Sequence, residues 1–130
     1  MIHHVDVHVR ELRSAETLFG ALSAPLGFRR VPDEAGFVGY EPSDGSRPRI
    51  GFTQNDEASG GTMQLAFGVD DRARVDAAAE AAQKAGAQKI DGPSLNPEYG
   101  DNYYAVFFED VDGNRYEVLT RSQASPQVDA

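Results

Sequence analysis

Residues 1–10 read MIHHVDVHVR. In an extended chain Val5, Val7 and Val9 fall on one face, while His4, Asp6 and His8 fall together on the other. Such alternation suits a surface strand with its polar side in water, and equally a strand whose polar side lines a cavity. A repetition of the pattern favours the second. Residues 64–69, QLAFGV, lie sixty positions after His4 to Val9 and again carry their apolar side chains at odd positions.

Between these strands the chain reads as helix, then three strands. Ser14 as N-cap with Glu16 in the first turn, followed by Ala15, Leu18, Phe19 and Leu22, predicts a helix over 14–24, before Pro25. Strands follow over 28–31, 36–41 and 49–53, with turns at 32–35 and at the Ser43-Asp44-Gly45 stretch. Residues 54–61 are polar and read as a linker. The second half starts over. Asp70 or Asp71 caps a helix with the apolar stripe Val75, Ala78, Ala79 and Ala82, Gly86 sits at its C-terminal end, and a short strand over 88–90 comes next. The sequence Glu41-x-x-Asp44-Gly45-x-Arg47 recurs as Glu109-x-x-Asp112-Gly113-x-Arg115. Allowing for the extra Pro48 and Arg49, Gly51 becomes the counterpart of Glu117.

The fold class is therefore α+β: two tandem βαβββ units, over about 1–55 and 62–121, whose curved mixed sheets border a cleft. They form one domain over 1–121, with a loose tail from 122 to 130. If the helices cover the valine faces, then His4, Asp6, His8, Gln64 and Glu117 face the cleft. The segment 91–103, DGPSLNPEYGDNY, is long for a connection and carries Tyr99; it reads as a flap or as a plain surface excursion. In the next strand Tyr104, Val106 and Phe108 share one face and Tyr103, Ala105 and Phe107 the other, so one aromatic set enters the cleft.

Composition bounds the rest. At 130 residues, with 40% hydrophobic content, the chain can bury one core. Twelve basic against 21 acidic residues, net −9, argue against nucleic acid or an anionic membrane as partner. Cysteine is absent, which removes disulfides and thiolate chemistry. No apolar run approaches the ~18 residues of a membrane span, and no basic-then-apolar leader precedes the first strand, so the expected compartment is the cytoplasm.

The paired βαβββ pattern, the opening Ile2-x-His4-Val5 and the ending Asp110-Val-Asp-Gly-Asn-Arg-Tyr-Glu117-Val118 resemble the vicinal oxygen chelate superfamily: glyoxalase I, extradiol dioxygenases, methylmalonyl-CoA epimerase, fosfomycin-modifying thiol transferases and bleomycin resistance proteins. The resemblance spans nearly all of residues 1–121. It implies a homodimer and a metal held at positions matching His4, Gly51, Gln64 and Glu117. Gly51 has no side chain to offer, which leaves His4, Gln64 and Glu117 for a divalent ion such as nickel, zinc, manganese or iron. Glu117 and His8 are then the candidate catalytic groups. Asp6, Tyr99, Tyr103, Tyr104, Phe107 and Arg115 are candidate cleft residues. The resemblance implies two alternatives: a metal-assisted lyase or isomerase acting on a small molecule with vicinal oxygens, or a metal-free binding protein for cationic drugs of the bleomycin-resistance type.

Overall fold

The computed structural model describes residues 1–32, 34–60 and 63–122. β1 (His4–Val9), α1 (Leu12–Leu26), β2 (Phe28–Arg30), β3 (Phe37–Pro42) and β4 (Arg49–Gln54) form the first unit. β5 (Gln64–Gly68), α2 (Arg72–Lys84), β6 (Gln88–Leu95), a 3-10 turn at Pro97–Tyr99, β7 (Tyr104–Glu109) and β8 (Arg115–Thr120) repeat the order. The sheets have the same topology, β1-β4-β3-β2 and β5-β8-β7-β6. In each, the first strand pairs parallel to the last and the other pairings are antiparallel. The two-unit α+β reading is thus what the chain does.

Parity positions the core as the alternation requires. Val7 and Val9 are buried while His4, Asp6 and His8 are exposed. The helix-side faces of both sheets feed one cluster, centred on Phe19 of α1, whose ring lies 4.8 to 5.8 Å from those of Phe28, Tyr40, Phe52 and Phe67. Phe67 belongs to the second unit, so the units share their interior instead of each covering its own. Pooling apolar faces suits units of this size, since a single short helix on four strands buries little on its own.

Several boundaries differ from the sequence reading. α1 starts at Leu12 with Glu11 at the N-cap and no side-chain cap, so Ser14 lies inside the helix; it also runs through Pro25 to Leu26. Proline there costs only one late backbone bond, and Gly27, with φ 76°, ends the helix. Asp71 caps α2 by accepting from Arg74 N at 3.0 Å. β6 continues to Leu95, taking in five residues expected in a flap or surface excursion; of its two register shifts against β7, the one between Asp91 and Ser94 accommodates Gly92 and Pro93. The tail expected at 122–130 lies, beyond Ser122, outside the described residues.

The Asp-x-Asp-Gly-Asn segment that ends the chain's repeat is a clasp. Asp110, 7% exposed, accepts from Asp112 N, Asn114 N and Asn114 Nδ2 at 2.9 Å and from the Tyr116 hydroxyl at 3.1 Å. Burial, with the Asp110 charge next to it, pushes the Tyr116 hydroxyl far above its ordinary range. The first unit and the linker after it hold this turn from outside: Arg10 N donates to Asp112 Oδ2 at 3.2 Å, and Gly60 N to the Asp112 carbonyl at 2.8 Å. A Cβ on Gly60 would come within 2.3 Å of the Asn114 nitrogen, so the approach requires glycine. Asp110→Ala orphans four donors. It should lower stability by about 3 kcal/mol, seen in urea denaturation as a lower midpoint with an unchanged m-value.

Candidate functional site

On the faces turned away from the core, equivalent rows of the two sheets carry opposite contents. In the second sheet the register aligns Asp91, Phe107, Glu117 and Ala66 across four strands. In the first sheet the matching row is Gly39, Gly51 and Asp6. Gly51 is therefore the structural counterpart of Glu117, as the two-residue offset anticipates. The same register makes Arg49, and not Arg47, the counterpart of Arg115: they pair with His4 and Gln64. Arg49 joins Arg29 in bonding Glu41, at 3.1 and 2.8 Å, and the Arg29 guanidinium holds that carboxyl below its usual range.

Two separate cavities result. The first, about 330 Å³, has His3, His4, Asp6, Phe37 and Arg49 around the bare Gly39–Gly51 floor. The Phe37 ring lies on that floor: a Cβ built on Gly51 would meet Phe37 Cε1 at 2.5 Å and Asp6 Oδ1 at 2.8 Å. The second, about 350 Å³, is lined by Gln64, Asp91, Asn96, Glu98, Tyr99, Tyr103, Phe107 and Glu117. His4 and Glu117, expected to share a metal, line different cavities of the chain.

Glu117 is only 4% exposed, and a carboxylate so placed needs donors. It has two. Gln64 Nε2 donates to Oε1 at 2.9 Å, and the Tyr103 hydroxyl makes a very short bond to Oε2. The carboxamide orientation is dictated by chemistry, because an ionised carboxylate only accepts. Burial, then the bond to Glu117 and its charge, push the Tyr103 hydroxyl up to about 12. Around His4 the hydrogen bonds also run one way. Arg47 Nε, which can only donate, meets His3 Nε2 at 3.2 Å; His3 Nδ1 then carries the proton toward His4 Nδ1 at 3.1 Å. For neutral imidazoles this leaves His4 with its proton on Nε2, 3.8 Å from Asp6 Oδ2.

The implied metal fits this donor set poorly. Gly51 supplies nothing, and the Phe37 ring fills the space above it. Gln64 turns its NH₂ toward Glu117. His4 has its Nδ1 lone pair facing His3. Among the described residues no three His, Asp or Glu side chains converge on one point. Other expected site residues are redistributed. Tyr99, Tyr103 and Phe107 line the Glu117 cavity, and Asp6 the first one. Tyr104 does not enter a cleft: odd-even parity turns it under α2, where its hydroxyl donates to Asp76 at 2.6 Å and Arg72 lies over its ring. Arg115 is exposed and lines neither cavity. His8 Nδ1 lies 3.1 Å from Asn55 Nδ2 and is likewise in neither. Asp91, Asn96 and Glu98 were not singled out by the sequence reading; their place in the 91–103 segment beside Tyr99 was the available signal.

The glyoxalase-like domain family matches residues 18–119. The chain belongs to the glyoxalase-like domain family. No protein of curated function matches it. Its fold is similar to a glyoxalase/bleomycin resistance protein from Albidiferax ferrireducens T118, with TM-score 0.77 and 24% identity over 92% of this chain and 98% of that one. It is also similar to a glyoxalase/bleomycin resistance protein/dioxygenase family enzyme from Burkholderia phytofirmans PsJN, with TM-score 0.70 and 20% identity over 90% and 95%. A third similar structure is the fosfomycin resistance protein FosX from Mesorhizobium loti, with TM-score 0.66 and 21% identity over 92% and 90%. The family match places this glyoxalase-like chain in the vicinal oxygen chelate superfamily, and the three similar structures show its fold.

The Tyr103–Glu117 bond has a spectroscopic consequence. A raised hydroxyl pKa means that the neutral phenol is favoured on folding; that stabilisation is complete below the ordinary value of 10.0 and is lost as pH rises toward about 12. Glu117→Gln removes the charge, so the tyrosinate absorbance of Tyr103, identified by difference from Tyr103→Phe, should rise at a lower pH than in the wild-type chain.

Proposed function

We propose that this glyoxalase-like protein is a metal-independent small-molecule binding protein whose ligand enters the Gln64–Tyr103–Glu117 cavity. The observation that carries the reading is the pair of donors already on Glu117. A buried carboxylate whose only compensation was a metal ion would be costly without it, whereas here Gln64 and Tyr103 each bond one of its oxygens and leave room only for further N–H donors. The bleomycin-resistance-type alternative is thereby favoured over the metal-assisted lyase or isomerase. His8 and Glu117 are assigned no catalytic step: His8 lies against Asn55 and lines neither cavity, and Glu117 is bonded by Gln64 and by Tyr103, whose hydroxyl is held in its neutral form.

A homodimer belongs to the same proposal. β1 and β5 are edge strands, each hydrogen-bonded on one side within its sheet. A second copy laid along these edges would bring the His4–Asp6 wall of one chain opposite the Glu117 cavity of its partner. Even then the fourth position is glycine beneath the Phe37 ring, so the pairing enlarges the ligand cleft without completing a ligand set for metal.

The test is calorimetric. Chelator-stripped protein titrated with nickel, zinc, manganese and iron(II) should give no stoichiometric binding, and His4→Ala and Glu117→Gln should behave identically to the wild-type chain. Binding near one ion per chain, lost in either variant, overturns the reading and restores the metal-assisted one.

A further inference from the structure

We infer that the ligand of the Glu117 cavity is a planar organic cation bearing N–H donors, of the amidinium or guanidinium class. This rests on the metal-independent reading of that cavity and goes further by naming what fills it.

Three independent features of the walls converge on this chemistry. The first is an aromatic wall. The Tyr99 ring packs against those of Tyr103 and Phe107, with centroids 5.4 and 6.3 Å away and tilts of 55°. The three rings line the cavity, and a flat, weakly hydrated cation stacks well on one side of such a wall, as amidinium and guanidinium groups do. The second is charge. Asp91, Glu98 and Glu117 line the cavity and none of the lining residues is basic. Arg121 lies outside, beside the Cα of Gly100, and its charge acts on Tyr103 more weakly than that of Glu117 and in the opposite sense. The third is unfilled acceptor capacity. A carboxylate has about four lone-pair sites, and the two bonds to Glu117 use one on each oxygen.

The third feature selects among cations. A quaternary ammonium would exclude water from the remaining lone pairs of a 4%-exposed carboxylate without replacing the lost bonds. A primary ammonium would bond but would stack poorly. A planar amidinium supplies parallel N–H donors for a carboxylate and a flat face for the rings in one group. Tyr99, itself 59% exposed at the end of the Pro97–Tyr99 turn, is placed to cover a ligand so seated.

The experiment uses the whole chain and four probes: benzamidine, its neutral and anionic planar counterparts benzamide and benzoate, and phenyltrimethylammonium, a cation with a tetrahedral head and no N–H. Calorimetry should give saturable one-to-one binding of benzamidine, with each of the others at least about 10-fold weaker. Glu117→Gln should weaken benzamidine by about 10-fold or more. Because Glu117 is buried, Glu98→Gln and Tyr99→Ala at the exposed rim serve as second variants, each expected to cost about 3-fold with the melting temperature unchanged. Benzamide equal to benzamidine overturns the cationic ligand while leaving a metal-independent cavity. Phenyltrimethylammonium equal to or tighter than benzamidine overturns the requirement for N–H donors. No binding of any probe overturns the inference. Stoichiometric nickel or zinc binding lost in Glu117→Gln overturns both this and the reading beneath it.

Discussion

Each βαβββ unit has four strands and one helix, and that disproportion governs the molecule. A single helix covers one face of its sheet, so the covered face must be apolar and the other is free to be anything. The chain meets the first requirement by joining the covered faces of both units around Phe19, whose ring neighbours come from β2, β3, β4 and, through Phe67, β5. Truncating such a side chain in a shared core would cost about 3–5 kcal/mol, and it would loosen both units together. The clasp of Arg10 and Gly60 on the Asp112 turn fixes the same relation from the polar side.

Because the covered faces consume the odd positions of β1 and β5, the even ones are released from packing duty, and here the repeats diverge. The first unit reduces its free face to backbone at Gly39 and Gly51 and lays Phe37 across it. The second keeps Phe107 and Glu117 in the same row and adds Tyr103, Tyr99 and Gln64 around them. Duplication followed by this division of labour explains how one chain has two cavities of similar size with unlike chemistry.

The fold was legible because it is written in two-residue periodicity and in local turn signals, both of which survive without knowledge of the partner strand. The sixty-residue echo of β1 in β5 and the Gly51–Glu117 correspondence follow from these alone. Boundaries set by tertiary support were not legible: α1 passes Pro25 and is ended two residues later by Gly27, and β6 extends to Leu95 because β7 supplies a bulged template. The site was half legible. Parity put Gln64 and Glu117 on one face and separated Tyr103 and Phe107 from Tyr104 and Phe108 without choosing which pair enters the cleft; that Gln64 and Tyr103 spend their donors on Glu117 is a statement about distances, which residue types do not encode. Nor does parity say which cavity a residue enters, so His4 and Glu117, both on faces turned from the core, were expected to meet.

A carboxylate at Glu117 is compatible with metal in principle, and the proposed metal-independent reading rests on the state of its neighbours. Every group that a metal would recruit already has a complementary partner of the opposite hydrogen-bonding sense: Gln64 and Tyr103 donate to Glu117, and His3 donates to His4. Recruiting a divalent ion would mean rotating Gln64, displacing the Tyr103 hydroxyl and reversing the His3–His4 tautomers, with glycine still at the fourth position. An organic cation with N–H donors demands none of these changes. It adds donors where lone pairs remain, keeps Gln64 and Tyr103 in place, and sets its charge beside three carboxylates and an aromatic wall. Preorganisation therefore favours the organic cation, because the walls that would bind it are already held in position by bonds within the folded chain.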